Sequence, residues 1–186
     1  KRSCMEGYQK LAMVYKAIGN NELYLESIIK AHEFGLKNST FEYASYLLSQ
    51  QKVSEAIDIL SKCKEPDDQL LLLYAESLYR GKQFNHFDYI IDPLIKRELP
   101  EALCMKATIL KLHNPHGQSE AKNYEDVKSL YEKAVTKQFY PAYALLGQLF
   151  LEHGEIEQGL KLLTEASQNK SSDGAYYYGL HLLNED

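Results

Sequence analysis

Two histidines in one short segment are the best candidates for metal chemistry in this sequence. His113 and His116 have an H-x-x-H spacing, and Cys104 lies upstream of them. A structural zinc site needs three or four ligands that converge on one point. No third ligand has a defined spacing from this pair, and Pro115 separates the two histidines. We therefore predict an exposed loop here and no metal site.

The sequence offers no pattern for nucleophilic or acid–base catalysis. It contains neither a Gly-x-Ser-x-Gly motif nor a glycine-rich phosphate loop. Two close acidic pairs, Asp67 with Asp68 and Glu155 with Glu157, lie where helices are expected to begin. Acidic side chains at a helix start interact favourably with the helix dipole. We predict a protein that is not an enzyme and that carries no cofactor.

The composition indicates a globular helical protein. Of 186 residues, 45% are hydrophobic and 25% charged, while glycine (10) and proline (5) are sparse, as in helices joined by short turns. Residues 1–139 hold 19 positive and 19 negative side chains, and residues 140–186 hold two and seven, so the net charge of −5 lies in the last third. A nucleic-acid partner needs a basic face, and we expect none. No apolar run reaches the about 20 residues of a membrane helix.

Six pairs of residues, each a small residue followed three places later by a large apolar one, reveal an internal repeat. The pairs are Ala12 and Tyr15, Ala44 and Leu47, Ala75 and Leu78, Ala107 and Leu110, Gly147 and Phe150, and Gly179 and Leu182. The small residues are separated by 32, 31, 32, 40 and 32 residues. Periods of this length indicate stacked helical repeats.

A second set of residues fixes the register of a second helix in each repeat. In the first repeat these are Tyr24, Ile28 and Ala31, and in the fifth they are Gly159, Leu163 and Ala166. Spacings of four and three place such residues on one helix face. Each repeat is therefore predicted to be two antiparallel helices, A and B, with the small residue allowing close approach. The predicted repeats are 5–36, 37–67, 68–99, 100–139, 140–171 and 172–186, in a single domain 1–186.

Two helix boundaries are predicted from single residues. Asn123, with Asp126 after it, has the side chain of a helix cap and should begin the fourth B helix. Pro93 lies inside the third B helix and should kink or end it near Ile91.

The segment Leu130–Ala134, followed by Pro141-Ala142 and Leu146-Gly147, resembles the Sel-one-like branch of the tetratricopeptide repeat superfamily. The resemblance implies an all-α, right-handed superhelical solenoid of about five helix pairs plus a terminal helix. It also implies a non-catalytic scaffold that binds a protein segment in its concave groove. Its relatives include bacterial envelope and exopolysaccharide-export scaffolds and adaptors in protein degradation. An RNA-binding helical-repeat protein is the alternative from another class.

Carried onto this register, the resemblance places ten candidate partner-binding residues in the groove. They are Phe41, Leu48, Leu72, Glu76, Tyr79, Thr108, Lys111, Gln148, Leu151 and Tyr176. The lysine and asparagine clamp of the chaperone-tail-binding members is absent, because Gln9, Met13, Phe41 and Ser45 occupy its sites. A second possible contact region is the acidic last third, around Glu152.

The first residue, Lys1, leads us to expect that this sequence is part of a longer protein. A missing signal peptide then says nothing about compartment. The bacterial periplasm or envelope and the cytoplasm all remain open, as does the oligomeric state.

Overall fold

The computed structural model describes residues 2–114 and 117–184. These residues form helices joined by short connecting segments, and none of them lies in a β-strand. The chain is 80% helical. The helices are α1 (Arg2–Ala17), α2 (Asn21–Glu33), α3 (Lys37–Ser49), α4 (Val53–Ser61), α5 (Asp68–Arg80), α6 (Phe84–Lys96), α7 (Pro100–His113), α8 (Glu120–Thr136), α9 (Tyr140–Glu152), α10 (Ile156–Gln168) and α11 (Ser172–Asn184). The predicted all-α architecture of consecutive helix pairs is confirmed.

The odd-numbered helices are the predicted A helices and the even-numbered ones the B helices. α1 packs against α2, α3 against α4, α7 against α8 and α9 against α10. The chain divides into two compact units, Lys1–Asp92 and Pro93–Asp186, here called the N-terminal and C-terminal units. The single repeat domain over the whole chain stays a prediction. Among the described residues, every helix is too short or too polar to cross a membrane.

The small residues of α3, α5, α7 and α9 lie in the seam between the paired helices, as the register predicts. Ala44, Ala75 and Ala107 are completely buried, and Gly147 is buried as well. The B-helix residues that face them are equally buried, among them Ile28, Ala56, Phe87, Tyr131 and Leu163. These positions supply the core of each repeat.

The fourth B helix begins one turn earlier than predicted. Its N-cap is Ser119, whose hydroxyl oxygen accepts a hydrogen bond from the Lys122 amide at 3.4 Å. Asn123 lies inside the helix instead, and its side-chain Nδ2 donates to the Leu110 carbonyl oxygen at 3.1 Å. The prediction was wrong because Asn123 satisfies a carbonyl at the end of α7, a tertiary role that its type alone does not reveal.

Proline inside α6 does not end that helix. α6 continues through Pro93 to Lys96, whereas the sequence predicted a kink or an end near Ile91. Ile91 and Leu94 on either side are both essentially buried, at 0% and 1% exposure. Packing of this apolar face keeps the helix continuous, although the proline supplies no backbone donor.

Candidate partner-binding surface

Three side chains from α7 and α9 meet on one face of the C-terminal unit. Lys111 Nζ lies 2.7 Å from Glu152 Oε2, and Gln148 Nε2 donates to Glu152 Oε1 at 2.9 Å. Lys111 and Gln148 are predicted groove residues, whereas Glu152 belongs to the acidic region considered as an alternative. The structure brings the two candidate regions together at one carboxylate.

The seam residues explain why these polar side chains share a face. Lys111 follows the buried Ala107 by four residues, and Gln148 follows the buried Gly147 by one. The seam fixes the rotation of both A helices, so Lys111 lies one turn beyond Ala107 on the same side of α7, beside α8. The Lys111 side chain is only 24% exposed and Glu152 41%, so the ion pair is partly shielded from water.

A cavity of about 230 Å³ opens beside this ion pair. The cavity is lined by Lys111, Glu120, Asn123, Tyr124, Val127, Leu149, Glu152 and His153. The Tyr124 hydroxyl donates to Glu155 Oε1 at 2.6 Å, and its ring centroid lies 4.2 Å from that of His153. Burial and the Glu155 carboxylate both raise the Tyr124 pKa, so this phenol stays protonated and neutral.

The cavity is lined by several hydrogen-bond acceptors. His153 Nδ1 lies 2.9 Å from the Leu149 carbonyl oxygen; because a carbonyl only accepts, Nδ1 is the donor in this contact. Asn123 Oδ1 is buried and has no hydrogen-bond partner among the described residues. The Glu120 and Glu152 carboxylates add negative charge. The cavity therefore suits a positively charged donor, such as a lysine or arginine side chain.

Thr108 faces inward from this surface. Its hydroxyl oxygen lies 3.0 Å from the Tyr131 hydroxyl oxygen, and Tyr131 is 1% exposed. Burial raises the pKa of Tyr131 to about 12, so the pair is a neutral hydrogen bond that ties α7 to α8.

Two further predicted residues flank the cavity-bearing face. Leu151 packs its side chain over Gly159, where an added β-carbon would lie 2.7 Å from Leu151 Cδ2. Tyr176 on α11 is 61% exposed, with its ring edge-on to that of Tyr177 at 5.3 Å. Tyr176 thus offers apolar surface, while much of Leu151 serves the repeat's own packing.

The predicted residues of the N-terminal unit occupy three different environments. Phe41 is 36% exposed, whereas Leu48 is 6% exposed and lies in the core formed by α3, α4 and α5. Glu76 forms an ion pair with Arg80 at 2.5 Å, and Leu72 is half-buried. Tyr79 packs its ring 6.2 Å from that of Phe84 and 6.3 Å from that of Phe87. We leave Leu48 out of the proposed surface because its contacts are internal.

A larger cavity of about 490 Å³ lies in the N-terminal unit beside His32, Thr40 and Cys63. Burial raises the pKa of the Cys63 thiol and lowers that of His32. Thr40 donates its hydroxyl to the Leu36 carbonyl oxygen at 3.1 Å and lies 2.9 Å from His32 Nδ1. A protonated thiol is a weak nucleophile, so Cys63 is not activated for attack in this cavity.

The two histidines that were considered as metal ligands, and predicted to lie in an exposed loop, fall partly outside the described residues. Pro115 and His116 are not described, and His113 is exposed at the end of α7. Within the described ranges, no group of three or more histidine, cysteine or acidic residues could hold a metal ion.

Comparison with known proteins finds solved structures with a similar fold. No family model and no curated protein matches the sequence. The crystal structure of MamA protein aligns with a TM-score of 0.60 and 11% identity over 95% of this chain and 97% of that one. MamA 41-end from Desulfovibrio magneticus RS-1 aligns with a TM-score of 0.59 and 12% identity, over 91% and 97%.

A third structure is that of PilW, described as a widely conserved type IV pilus biogenesis factor. It aligns with a TM-score of 0.65 and 13% identity over 93% of this chain and 82% of PilW. MamA and PilW are tetratricopeptide-like helical-repeat proteins. At these identities the likeness shows a shared fold.

Sequence reasoning named Lys111 and Gln148 but missed Asn123, Tyr124 and His153 as lining residues of one cavity. Asn123 was assigned to a helix cap. The sequence carries no signal for this cavity because it depends on tertiary packing. The rings of Tyr124 and His153, on α8 and α9, come within 4.2 Å between centroids only when the two helices pack together.

Proposed function

We propose that this chain is a non-catalytic protein-interaction scaffold that binds a partner segment on the α7–α9 face of its C-terminal unit. The observation that supports this proposal is the acceptor-rich cavity beside the Lys111–Glu152 ion pair. The fold shared with tetratricopeptide-like proteins fits this role, because helical-repeat proteins present extended binding surfaces. The chemistry of the cavity then defines the partner.

The partner segment carries a lysine or arginine that enters the cavity. Its charged group pairs with Glu152, and one of its N–H groups donates to Asn123 Oδ1, which is buried without a partner among the described residues. Satisfying a buried acceptor and a carboxylate with one cation gives both affinity and orientation. The surplus of negative charge in residues 140–186 favours the approach of a basic segment.

The exposed ring of Tyr176 supplies an apolar contact on the neighbouring helix α11, which packs against α9. Aromatic side chains of this kind often dominate the energy of an interface. The preferred partner sequence therefore combines one basic residue with a nearby aliphatic or aromatic residue. In the N-terminal unit, Phe41 and Leu72 form a separate, apolar candidate surface.

Selection from a displayed library of random peptides of about 12 residues tests the proposal. We expect the enriched peptides to share a lysine or arginine next to an apolar residue. Binding of a synthetic consensus peptide, measured by fluorescence anisotropy, should weaken about tenfold or more in Glu152→Gln. The control is Lys62→Ala, at the C-terminal cap of α4. Its side chain is 71% exposed, and this variant should bind normally.

Acidic or purely apolar consensus peptides, or equal affinities for Glu152→Gln and the wild type, would contradict this assignment. Tight, salt-sensitive binding of single-stranded RNA would instead favour the RNA-binding alternative. Circular dichroism of each variant confirms that the fold is retained.

For the biological setting, we propose a scaffold of the bacterial envelope. The support is the resemblance to Sel-one-like envelope scaffolds and the fold shared with PilW, described as a pilus biogenesis factor. Fractionation of native cells with an antibody to this chain tests it. Recovery with the cytosolic fraction would favour the degradation-adaptor role.

A further inference from the structure

The helix α4 is shorter than the B helices of the other repeats. In each of those helices one register position lies two residues before the helix end and is at most 1% exposed. It holds Ala31, Leu94, Ala134 and Ala166. The second repeat has Cys63 at this position, but α4 already ends at Ser61, whereas the same register would extend it to position 65. Glu65, with a φ of 52°, and Pro66 after it are incompatible with a further helical turn.

A cavity of about 490 Å³ lies beside this early helix end, between α2, α3 and α4. Thr40, which is 3% exposed, lies at its inner end, and the exposed Lys64 lies at its mouth. Ile59 and Cys63, both half-buried, supply apolar lining. Binding sites for small molecules have volumes of about 300–1,000 Å³ and a mostly apolar lining with a few polar groups, so this cavity has the size of such a site.

The inner end of the cavity offers one hydrogen-bond acceptor. Thr40 donates its only hydroxyl proton to the Leu36 carbonyl oxygen at 3.1 Å. In its 2.9 Å contact with His32 Nδ1 the threonine oxygen therefore accepts, and Nδ1 carries a proton. Burial lowers the pKa of His32, so the ring is neutral at neutral pH and its Nε2 is an acceptor. The Tyr43 ring packs 5.6 Å from the imidazole and holds its orientation.

The mouth of the cavity carries positive charge. Asp58 pairs with Lys62 at 2.6 Å, so these two charges offset each other. Lys37 and Lys64 pair with no carboxylate within the part of the chain that the structure describes. Lys37 and Asp67 both act electrostatically on the thiol in the cavity, but Asp67 is already engaged as the N-cap of α5. The mouth therefore suits an anionic group.

We propose that this cavity binds a small aromatic acid that carries a hydroxyl group at the far end of its ring. The hydroxyl donates to His32 Nε2, the ring lies against Ile59 and Cys63, and the carboxylate pairs with Lys64. A flat ring supplies apolar surface and holds the two polar groups at opposite ends, as the cavity requires. The site belongs to the N-terminal unit, so it is independent of peptide binding at Glu152.

The probe for this site is 4-hydroxyphenylacetate, added to the purified chain and followed by two-dimensional NMR. We expect a dissociation constant of about 0.1–1 mM, as for other ligands of this size. The shift changes should be concentrated at the residues that line the cavity. Phenylacetate lacks the hydroxyl and 4-methylphenol lacks the carboxylate, and each should bind about fivefold more weakly.

Three variants assign the contacts. Lys64→Ala should weaken binding of 4-hydroxyphenylacetate about threefold and leave that of 4-methylphenol unchanged. In His32→Phe the preference for 4-hydroxyphenylacetate over phenylacetate should disappear, and this ratio does not depend on the stability of the variant. Cys63→Phe places a ring inside the cavity and should abolish binding of all three compounds. The control is Lys161→Ala, at an exposed residue of α10, which should bind as the wild type does.

No binding of 4-hydroxyphenylacetate at about 10 mM would overturn the proposal. Equal affinities for the three compounds would do the same, as would unchanged binding in a Cys63→Phe chain whose NMR spectrum shows that it is folded. If Cys63→Phe does not fold, the ratio measured in His32→Phe decides: a preference that persists there contradicts the assigned acceptor. None of these outcomes affects the peptide site, which is tested separately with Glu152→Gln.

Discussion

A β-carbon placed on Gly159 would lie 2.9 Å from the backbone carbonyl oxygen of Gly147, on the partner helix of the fifth repeat. The reverse contact is as tight, since a β-carbon on Gly147 would lie 3.0 Å from the Gly159 carbonyl oxygen. α9 and α10 therefore meet backbone to backbone, and neither residue has room for a side chain.

Gly159→Ala should destabilise the chain by about 1–3 kcal/mol, because the new methyl group meets backbone that cannot move without separating the helices. The control is Gly179→Ala, also inside a helix, where an added β-carbon would meet nothing within 4 Å. It should stabilise the chain by about 0.5–1 kcal/mol through helix propensity. Urea denaturation measures both, under conditions where the chain is monomeric. If both substitutions changed the free energy of unfolding in the same direction, the seam between α9 and α10 would be less tightly packed than described.

The seam of each repeat was predictable from the sequence because it depends on residue size at fixed helical spacing. Ala44, Ala75 and Ala107 occur with a period that only stacked helix pairs explain, and all three are completely buried. Asp67 was likewise correctly placed at a helix start, where its carboxylate accepts from the Leu70 amide at 2.9 Å. Both signals are local or periodic, so they can be recognised in the sequence without knowledge of how the helices pack.

The candidate site depends on contacts between helices and was only partly predictable. Lys111 and Gln148 were identified by register, but their common partner Glu152 is one position beyond the predicted row. Leu48 shows the opposite error, because the register assigned it to the groove although it is buried in the core. Its register resembles that of Leu151, yet α4 and α5 close over it and leave it 6% exposed. How far a side chain is buried in the repeat depends on the side chains of neighbouring helices. The periodicity of the sequence gives no information about those contacts.

Asn114 should contribute more to stability than its place at the end of α7 suggests. It has a left-handed backbone conformation, with φ of 36°, and its side chain forms hydrogen bonds in both directions with the Gln118 backbone, at 2.7 and 3.0 Å. Asn114→Ala should cost about 1–3 kcal/mol through lost hydrogen bonds and backbone strain. Asn114→Gly should cost less, since glycine adopts this conformation freely. Equal losses in thermal or urea unfolding would assign the whole effect to the side chain.

Tyr131 should make the folded chain sensitive to alkaline pH. Its pKa is about 10 in an unfolded chain and is raised to about 12 in the folded one, chiefly by burial. The folded state therefore holds this proton more tightly. The contribution is complete below pH 10 and is lost as the pH rises through 12. In Tyr131→Phe, the unfolding free energy should fall less steeply between these pH values, whatever its absolute level. Identical slopes in the two proteins would place the sensitivity elsewhere.

The ion pair between Lys111 and Glu152 should matter more for binding than for folding. Both side chains remain partly exposed, at 24% and 41%, and pairs of this kind contribute only about 0.2–1 kcal/mol. A double-mutant cycle with Lys111→Met and Glu152→Gln, followed by urea denaturation, should give a coupling energy in that range. The same Glu152→Gln change should cost a basic peptide about tenfold in affinity, or about 1.4 kcal/mol, because it removes the only charge that the peptide cation pairs with in the proposed complex. Lys111→Met should strengthen peptide binding, since it frees the Glu152 carboxylate from its internal partner. A weaker peptide complex in Lys111→Met would instead mean that the lysine itself contacts the partner, and the cavity would then select an acidic segment.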